Sequence, residues 1–457
     1  MTAALLPVPS LVTATDTLPR VVGDELRVPL VDGRSVRYCD LDSAASTPAL
    51  DAVAAHVAEV LPYLGSVHRG AGYTSRVCTS LLENARADVG RFVRARADDC
   101  VVFTRNTTDA LGVLARAVPG PVVTLDLEHH ATLLAWRHGG HRVVRAGRTV
   151  ADTLDALRAE LAARPDAALV AVTGASNVTG EILPVAEIVA ISHAAGARVC
   201  VDAAQLAPHR RLDLAGWGAD YLVLSGHKIY APYGAGVLVG RRDWLDAATP
   251  HQAGGGAVRS VTVDGDSTSA EWLPAPQRHE GGTPNVLGAA ALAAACRALE
   301  PIIDDAVPAH ERDLGDRLRD ELAGVPGLRV LSLFDSPVDR TATVSFTLGD
   351  LPPGLVAAAL SAEHGIGVRD GRFCAHPLLE RLNGGADAVR ASLGLRTRES
   401  DVDRLVSALH ALARRGPQWT YAIVDGRWAP TPDPRPLDPF AGTRSGSDAP
   451  LPPGCGG

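Results

Sequence analysis

A single lysine stands in the 457-residue chain. The other 43 of its 44 lysine and arginine residues are arginines, which carry the same surface charge but cannot lose a proton at accessible pH and attack a carbonyl carbon. Lys228 is therefore a candidate for Schiff-base chemistry; the plain alternative is an ordinary surface lysine that survived by chance. It closes Ser225-Gly226-His227-Lys228, directly after the apolar run Tyr221 to Leu224 and before a glycine-rich return. Asp202 ends another apolar run in Val201-Asp202-Ala203-Ala204-Gln205. A carboxylate there could hold a pyridinium nitrogen protonated so that the ring accepts electrons, or simply cap a helix. Asn106-Thr107-Thr108 lies between the run Val101 to Thr104 and a helix-like stretch, where backbone N–H groups and hydroxyls make a phosphate cradle, although Asn and Thr are also routine caps. Glu128-His129-His130 follows Val122 to Leu125; an imidazole there could stack on a flat ring or act as acid and base, or be structural or part of a metal site. Each of these four stations suits one part of pyridoxal phosphate.

Stations of this kind need a scaffold that aligns strand ends. From about residue 100 to 240, short β-branched runs alternate with Ala-rich helical segments: Val101 to Thr104, Val122 to Leu125, Leu169 to Thr173, Arg198 to Asp202, Tyr221 to Ser225 and Gly236 to Val239 read as buried strands. Such alternation predicts an α/β domain with a mainly parallel sheet, whose ligands collect at the carboxyl ends of strands. After Gly282-Thr283-Pro284-Asn285 the texture changes. A helix begins near Val286, strands are expected over Leu328 to Leu331 and Thr343 to Thr347, and a last helix runs from about Asp401 to Leu412. The expected organisation is a large domain over 45–285 and a smaller α+β domain over 286–414, the latter joined by the N-terminal segment 1–44. A hairpin around Asp425-Gly426 and a Pro/Gly-rich tail make up 415–457.

Composition excludes other classes. Nearly half the residues are apolar, enough for a sizeable core. The net charge of −8 is spread along the chain, which leaves no footprint for nucleic acid or anionic lipid. No apolar stretch reaches the roughly 18 to 20 residues of a membrane span, and the N-terminus lacks a basic and then apolar leader. These features read as a cytoplasmic protein. Its cysteines, Cys39, Cys78, Cys100, Cys200, Cys296, Cys374 and Cys455, form no C-x-x-C pair or zinc spacing, a pattern of reduced thiols.

From Asp40 to Leu412 the chain resembles the class V aminotransferase family of fold type I pyridoxal phosphate enzymes, and within it the group II cysteine desulfurases, also called selenocysteine lyases. The resemblance rests on Leu41-Asp42-Ser43-Ala44-Ala45, Val67-His68-Arg69-Gly70, Phe103-Thr104-Arg105-Asn106-Thr107-Thr108, Glu128-His129-His130-Ala131 and Ser176-Asn177-Val178-Thr179-Gly180. It continues through Val201-Asp202-Ala203-Ala204-Gln205, Ser225-Gly226-His227-Lys228 and Gly282-Thr283-Pro284-Asn285, in the family's order and spacing.

The resemblance implies a large domain with a mainly parallel seven-stranded sheet plus a smaller α+β domain, in which Lys228 forms the Schiff base, Asp202 holds the ring nitrogen and His129 stacks on the ring. Gln205 and Asn177 would contact the ring oxygen and the substrate's neighbourhood. Thr107, Thr108, Ser225 and His227 would bind phosphate, with Thr283 reaching the neighbouring subunit's phosphate in a homodimer. Arg390, in Val389-Arg390-Ala391-Ser392-Leu393, matches the arginine that takes the substrate carboxylate, a role suited to its bidentate geometry; an ion pair is the alternative. Cys374, in Arg372-Phe373-Cys374-Ala375-His376-Pro377, matches the nucleophile that takes sulfur from L-cysteine, or selenium from selenocysteine, leaving alanine and a persulfide for a sulfur acceptor protein. A thiolate suits that task, and Arg369, Arg372 or His376 could favour it; a small structural cysteine is the alternative. Where group II members commonly carry two histidines, this chain has Arg372 and Phe373. The expected activity is thus removal of sulfur or selenium from an amino acid substrate. Another class V reaction (amino transfer, epimerisation or C–S lysis) is the alternative enzyme, and a scaffold without turnover is the alternative outside enzymes.

Overall fold

The computed structural model describes residues 18–137 and 139–440. Cys455 and most of the Pro/Gly-rich tail lie outside the described residues. The strand-like runs between 100 and 240 assemble into one seven-stranded sheet with the order Cys100–Thr104, Gly236–Gly240, Tyr221–Ser225, Arg198–Asp202, Leu169–Thr173, Val122–Leu125, His141–Val144. Gly236–Gly240 runs antiparallel to both neighbours, and the remaining pairs are parallel. The sheet has the expected seven strands; the edge strand His141–Val144 is the one the sequence pattern did not locate, because its outward residues include the exposed Val143 and it lacks the unbroken apolar run of a central strand.

Burial explains those runs. Val122–Leu125, Leu169–Thr173, Tyr221–Ser225 and Gly236–Gly240 are buried at every residue, as expected when helices cover both faces of a parallel sheet. Successive side chains point to opposite faces. Val170, Val172, Val199, Val201, Leu222 and Leu224 join one core with the helices Val150–Ala163 and Val185–Ala194, while Leu169, Ala171, Cys200, Tyr221 and Val223 join another with Leu111 and Leu114 of the helix Thr107–Ala117.

A smaller antiparallel sheet has the order Leu328–Val330, Thr343–Leu348, Ala388–Ser392, Arg369–Gly371. It shares a core with the helices Ala306–Leu322, Pro353–His364 and Glu399–Arg415 through Leu318, Phe346, Leu360, Val389 and Leu409. The N-terminal part reaches this section where Cys39–Asp40 pairs in parallel with Ile366–Gly367. The helix Val286–Leu299, expected to open the small domain, instead places Leu292, Ala295 and Leu299 in the core of the large sheet. Its Ala-rich sequence permits close packing on the helices Asp51–Val60 and Tyr73–Phe92, so the change of texture at residue 285 is not a seam between cores. The loop after Arg369–Gly371 also crosses over: Phe373, Ala375, Leu378 and Leu379 join the large core.

Three hairpins lie outside these sheets among the described residues, the first pairing Arg27–Pro29 with Ser35–Arg37. Tyr421–Val424 and Arg427–Pro430 pair around Asp425 and Gly426, both at positive φ (49° and 78°), the twist that an Asp-Gly turn favours. Val258–Asp264 and Ser267–Trp272 form a largely exposed hairpin absent from the sequence-based expectation.

Candidate active site

The strand ends converge on a cavity of about 370 Å³ lined by Thr107, His129, Asp202, Lys228, Cys374 and Arg390 among others. Thr108, Asn177, Gln205, Ser225 and His227 line it too. Of the sequence-derived candidates, Thr283 alone is absent from this wall.

Each side chain is set by its strand end. Asn106 caps the helix Thr107–Ala117 by accepting from Asp109 N at 3.0 Å, and Thr107 and Thr108 of its first turn line the cavity. Thr107 N donates to Ser225 Oγ at 2.9 Å, and the two hydroxyls lie 2.7 Å apart. This requires glycine on the neighbouring strand, because a Cβ on Gly236 would sit 2.6 Å from Asn106 Cα. Helix dipole and clustered hydroxyls make a place for an anion.

Asp202 is buried with both oxygens engaged: Oδ2 accepts from Thr132 Oγ1 at 2.9 Å and Oδ1 from Ala204 N at 3.0 Å. Burial raises its pKa against the opposing pull of these bonds and of Lys228. Glu128, just beyond the strand Val122–Leu125, accepts from Thr173 N at 2.8 Å through Oε2, while its buried Oε1 has no partner. Burial and then the Asp202 charge push its pKa well up.

Lys228 ends the short turn Gly226–Lys228. Burial lowers its pKa to about 8, with Asp202 acting in the opposite direction. His129 Nδ1 accepts from Ala131 N at 3.0 Å, which assigns the neutral ring's proton to Nε2. Burial and then Lys228 drive its pKa down to about 3. His227, similarly lowered to about 4 by burial and Lys228, stacks on Tyr233 at 5.7 Å between centroids. Gln205 is fixed by a bond from Nε2 to Ala44 O at 2.7 Å.

Opposite these groups, Arg390 is buried on the central strand of the small sheet. Nη2 bonds Asp42 Oδ1 at 3.0 Å and Nη1 bonds Asn177 O at 2.9 Å, yet Nε has no partner. An unsatisfied buried guanidinium N–H is a costly group unless an acceptor comes to it. Arg369 lies directly across the ladder from Arg390, and the nearby carboxylate is Asp42, 3.0 Å from Arg390 and 4.0 Å from Arg369. Two cations facing one carboxylate leave positive charge for an anionic ligand. Arg369, Phe373, Ser46 and Tyr233 also line the cavity, with Asp42 behind Arg390; of these, sequence reasoning had placed only Arg369 at the site, beside the Cys374 thiol. Asp42 carried no signal beyond its place in a matched stretch.

Cys374 is exposed, whereas the other five described cysteines are buried. Phe373 and Cys374 both adopt left-handed backbone, with φ of 52° and 54°, a conformation that bulky residues keep only when their surroundings over-determine it. Here the Cys374 carbonyl accepts from His130 N at 2.8 Å, and His376 N donates to His130 Nε2 at 3.2 Å. Arg372, expected beside the thiol, is engaged with Asp387 at 3.2 Å.

A family model described as aminotransferase class-V matches residues 39–405. The chain belongs to the aminotransferase class-V family. These are pyridoxal phosphate-dependent enzymes, and the fold is fold type I of that group. Among class-V relatives, a cysteine desulfurase of Dickeya dadantii is 36% identical over 84% of this chain and 93% of its own length. A probable cysteine desulfurase of Mycobacterium leprae is 34% identical over 82% and 91%. Among solved structures, the Escherichia coli cysteine desulfurase CsdA matches with a TM-score of 0.71 and 31% identity over 81% of this chain and 94% of that one. The apo cysteine desulfurase of Thermococcus onnurineus matches with a TM-score of 0.75 and 30% identity over 86% and 98%. The residues present fit the family's cofactor. One amine, one buried carboxylate at a neighbouring strand end and a hydroxyl-lined helix start share one cavity.

Proposed function

We propose that the chain is a cysteine desulfurase that takes sulfur from L-cysteine onto Cys374 and releases alanine. The observation that carries this reading is the exposed thiol of Cys374 on the same cavity wall as Lys228 and the half-satisfied Arg390. Bound pyridoxal phosphate would supply an electron sink that acidifies the substrate Cα. Lys228 anchors it and, with a pKa near 8, can give up and take back a proton near neutrality at Nζ. Asp202 would hold a proton on the ring nitrogen, and His129 would lie against the ring as an uncharged imidazole. Thr107, Thr108, Ser225 and His227 take the phosphate, and Gln205 and Asn177 orient the ring oxygen and substrate. Arg390 Nε and Nη2 take the substrate carboxylate. The Cys374 thiolate forms an S–S bond to the substrate sulfur; the C–S electron pair goes to Cβ, which gains a proton to give alanine.

The same reading makes the chain a homodimer in the cytoplasm that passes sulfur to an acceptor protein. Thr283, outside its own cavity, would serve the partner's phosphate. The exposed Val261 and Val263 of the hairpin Val258–Trp272 support a second copy, and no helix of the described residues is long and apolar enough to cross a membrane. Function is divided between the large sheet, which holds the cofactor, and the smaller section, which carries Arg390 and Cys374.

Incubation with L-cysteine should yield alanine and a reductant-sensitive persulfide on Cys374, read by peptide mass mapping. Cys374→Ala should keep the visible absorbance of the bound cofactor and lose sulfur transfer by orders of magnitude. A Cys374→Ala variant as active as the parent on its best substrate would return the chain to the aminotransferases, epimerases or lyases.

A further inference from the structure

Three residues close a ring at the inner end of the cavity. Arg390 Nη1 donates to the Asn177 main-chain oxygen at 2.9 Å, and Asn177 Nδ2 donates to the Phe373 main-chain oxygen at 2.7 Å. The Phe373 side chain completes the circuit, with the Arg390 Cζ standing over its ring at 5.1 Å from the centroid. Phe373 is 6% exposed and Arg390 3%.

A guanidinium over an aromatic face is attracted by the ring quadrupole, and more strongly when water is excluded. An aliphatic side chain would fill the core beside Leu378 and Leu379 equally well. Only an aromatic one also meets the cation. The Arg390 guanidinium is held along its edge by Asp42 and Asn177, bonds that leave it free to tip about that edge; the ring beneath removes this freedom. Cys374 follows directly in the chain, so the residue under the guanidinium also sets where the nucleophile stands.

We propose that Phe373 is a positioning residue for the substrate carboxylate: its ring fixes the plane of Arg390 and ties carboxylate recognition to the placement of Cys374. The proposal rests on the reading of Arg390 as the carboxylate site.

The test uses the holoenzyme and two amines whose binding is followed by the cofactor's absorbance. L-Alanine has the carboxylate but no sulfur for Cys374 to attack; ethylamine lacks the carboxylate. Phe373 is replaced by mono-, di- and trifluorophenylalanine, which keep its shape while draining the negative face, and by Phe373→Leu. The dissociation constant for L-alanine should rise with each fluorine and reach about 2- to 30-fold in the trifluoro and leucine forms. That for ethylamine should stay constant, as should the rate of Cys374 alkylation by iodoacetamide in the fluorinated series. An L-alanine constant unchanged across the series overturns the proposal, as does equal weakening of both amines. If Phe373→Leu fails to fold, the fluorinated series still decides. Arg390→Gln is the separate control: if it does not weaken L-alanine selectively, the carboxylate assignment itself fails, whatever the fluorinated forms show.

Discussion

Lys228 in the folded chain holds its proton less tightly than an ordinary lysine, its pKa lowered to about 8, because burial outweighs the Asp202 charge. Capture of pyridoxal phosphate by the apo-protein, followed by absorbance, should therefore rise with pH to about 8 and level off above. A rate still climbing about tenfold per unit between pH 8 and 9 would show an unperturbed amine. The same shift has a stability sign. Between pH 8 and 10.5 the unfolded chain holds a proton that the folded chain has lost, so folded-state stability rises over that window. Lys228→Met, with no proton to lose, should lack that rise in urea titrations. At this scale the cofactor-side residues were legible because Lys228 is the sole lysine and Asp202 closes an apolar strand. Asp42 was not legible as the partner of Arg390, since 348 residues of chain separate the two.

The strands of the large sheet announced themselves through unbroken apolar runs, and the C-terminal hairpin through Asp425-Gly426. The seat of that hairpin was invisible. Glu363, in sequence an ordinary surface glutamate, accepts from Gln418 N, Trp419 N and Tyr421 Oη at 2.9 to 3.1 Å, fastening the hairpin to the helix Pro353–His364. Hydrogen bonds to charged acceptors contribute about 1.5–3 kcal/mol. Tyr421→Phe should accordingly lower the unfolding free energy by about 1–2 kcal/mol while leaving the cofactor absorbance unchanged; an unaltered denaturation midpoint would show the bond to be idle. The exposed hairpin Val258–Trp272 escaped notice for the converse reason. Its strands, rich in Ser, Thr and charged residues, lack the unbroken apolar runs of the large sheet, although Val261 and Val263 share one exposed face.

Across the whole molecule, acid should be the weak flank. His129 and His227 are kept neutral down to about pH 3 and 4, whereas an unfolded histidine takes its proton near 6.5. Below pH 6.5 the unfolded chain binds more protons, so stability falls steadily towards pH 4; a His227→Asn variant should show a shallower loss in denaturation midpoints measured from pH 7 to 4.5. Sedimentation should report a dimer, and a fully active monomer would refute the shared-site reading of Thr283. One architectural detail governs how the product leaves. Phe373, Ala375, Leu378 and Leu379 bury the flanks of the Cys374 loop in the core of the large sheet, and His130 grips it through the Cys374 carbonyl. A nucleophile mounted on such a rigid pedestal cannot swing outward as a delivery arm. On the reading of Cys374 as the nucleophile, its cargo would be collected at the doorway, by an acceptor that brings its own thiol to a stationary sulfur.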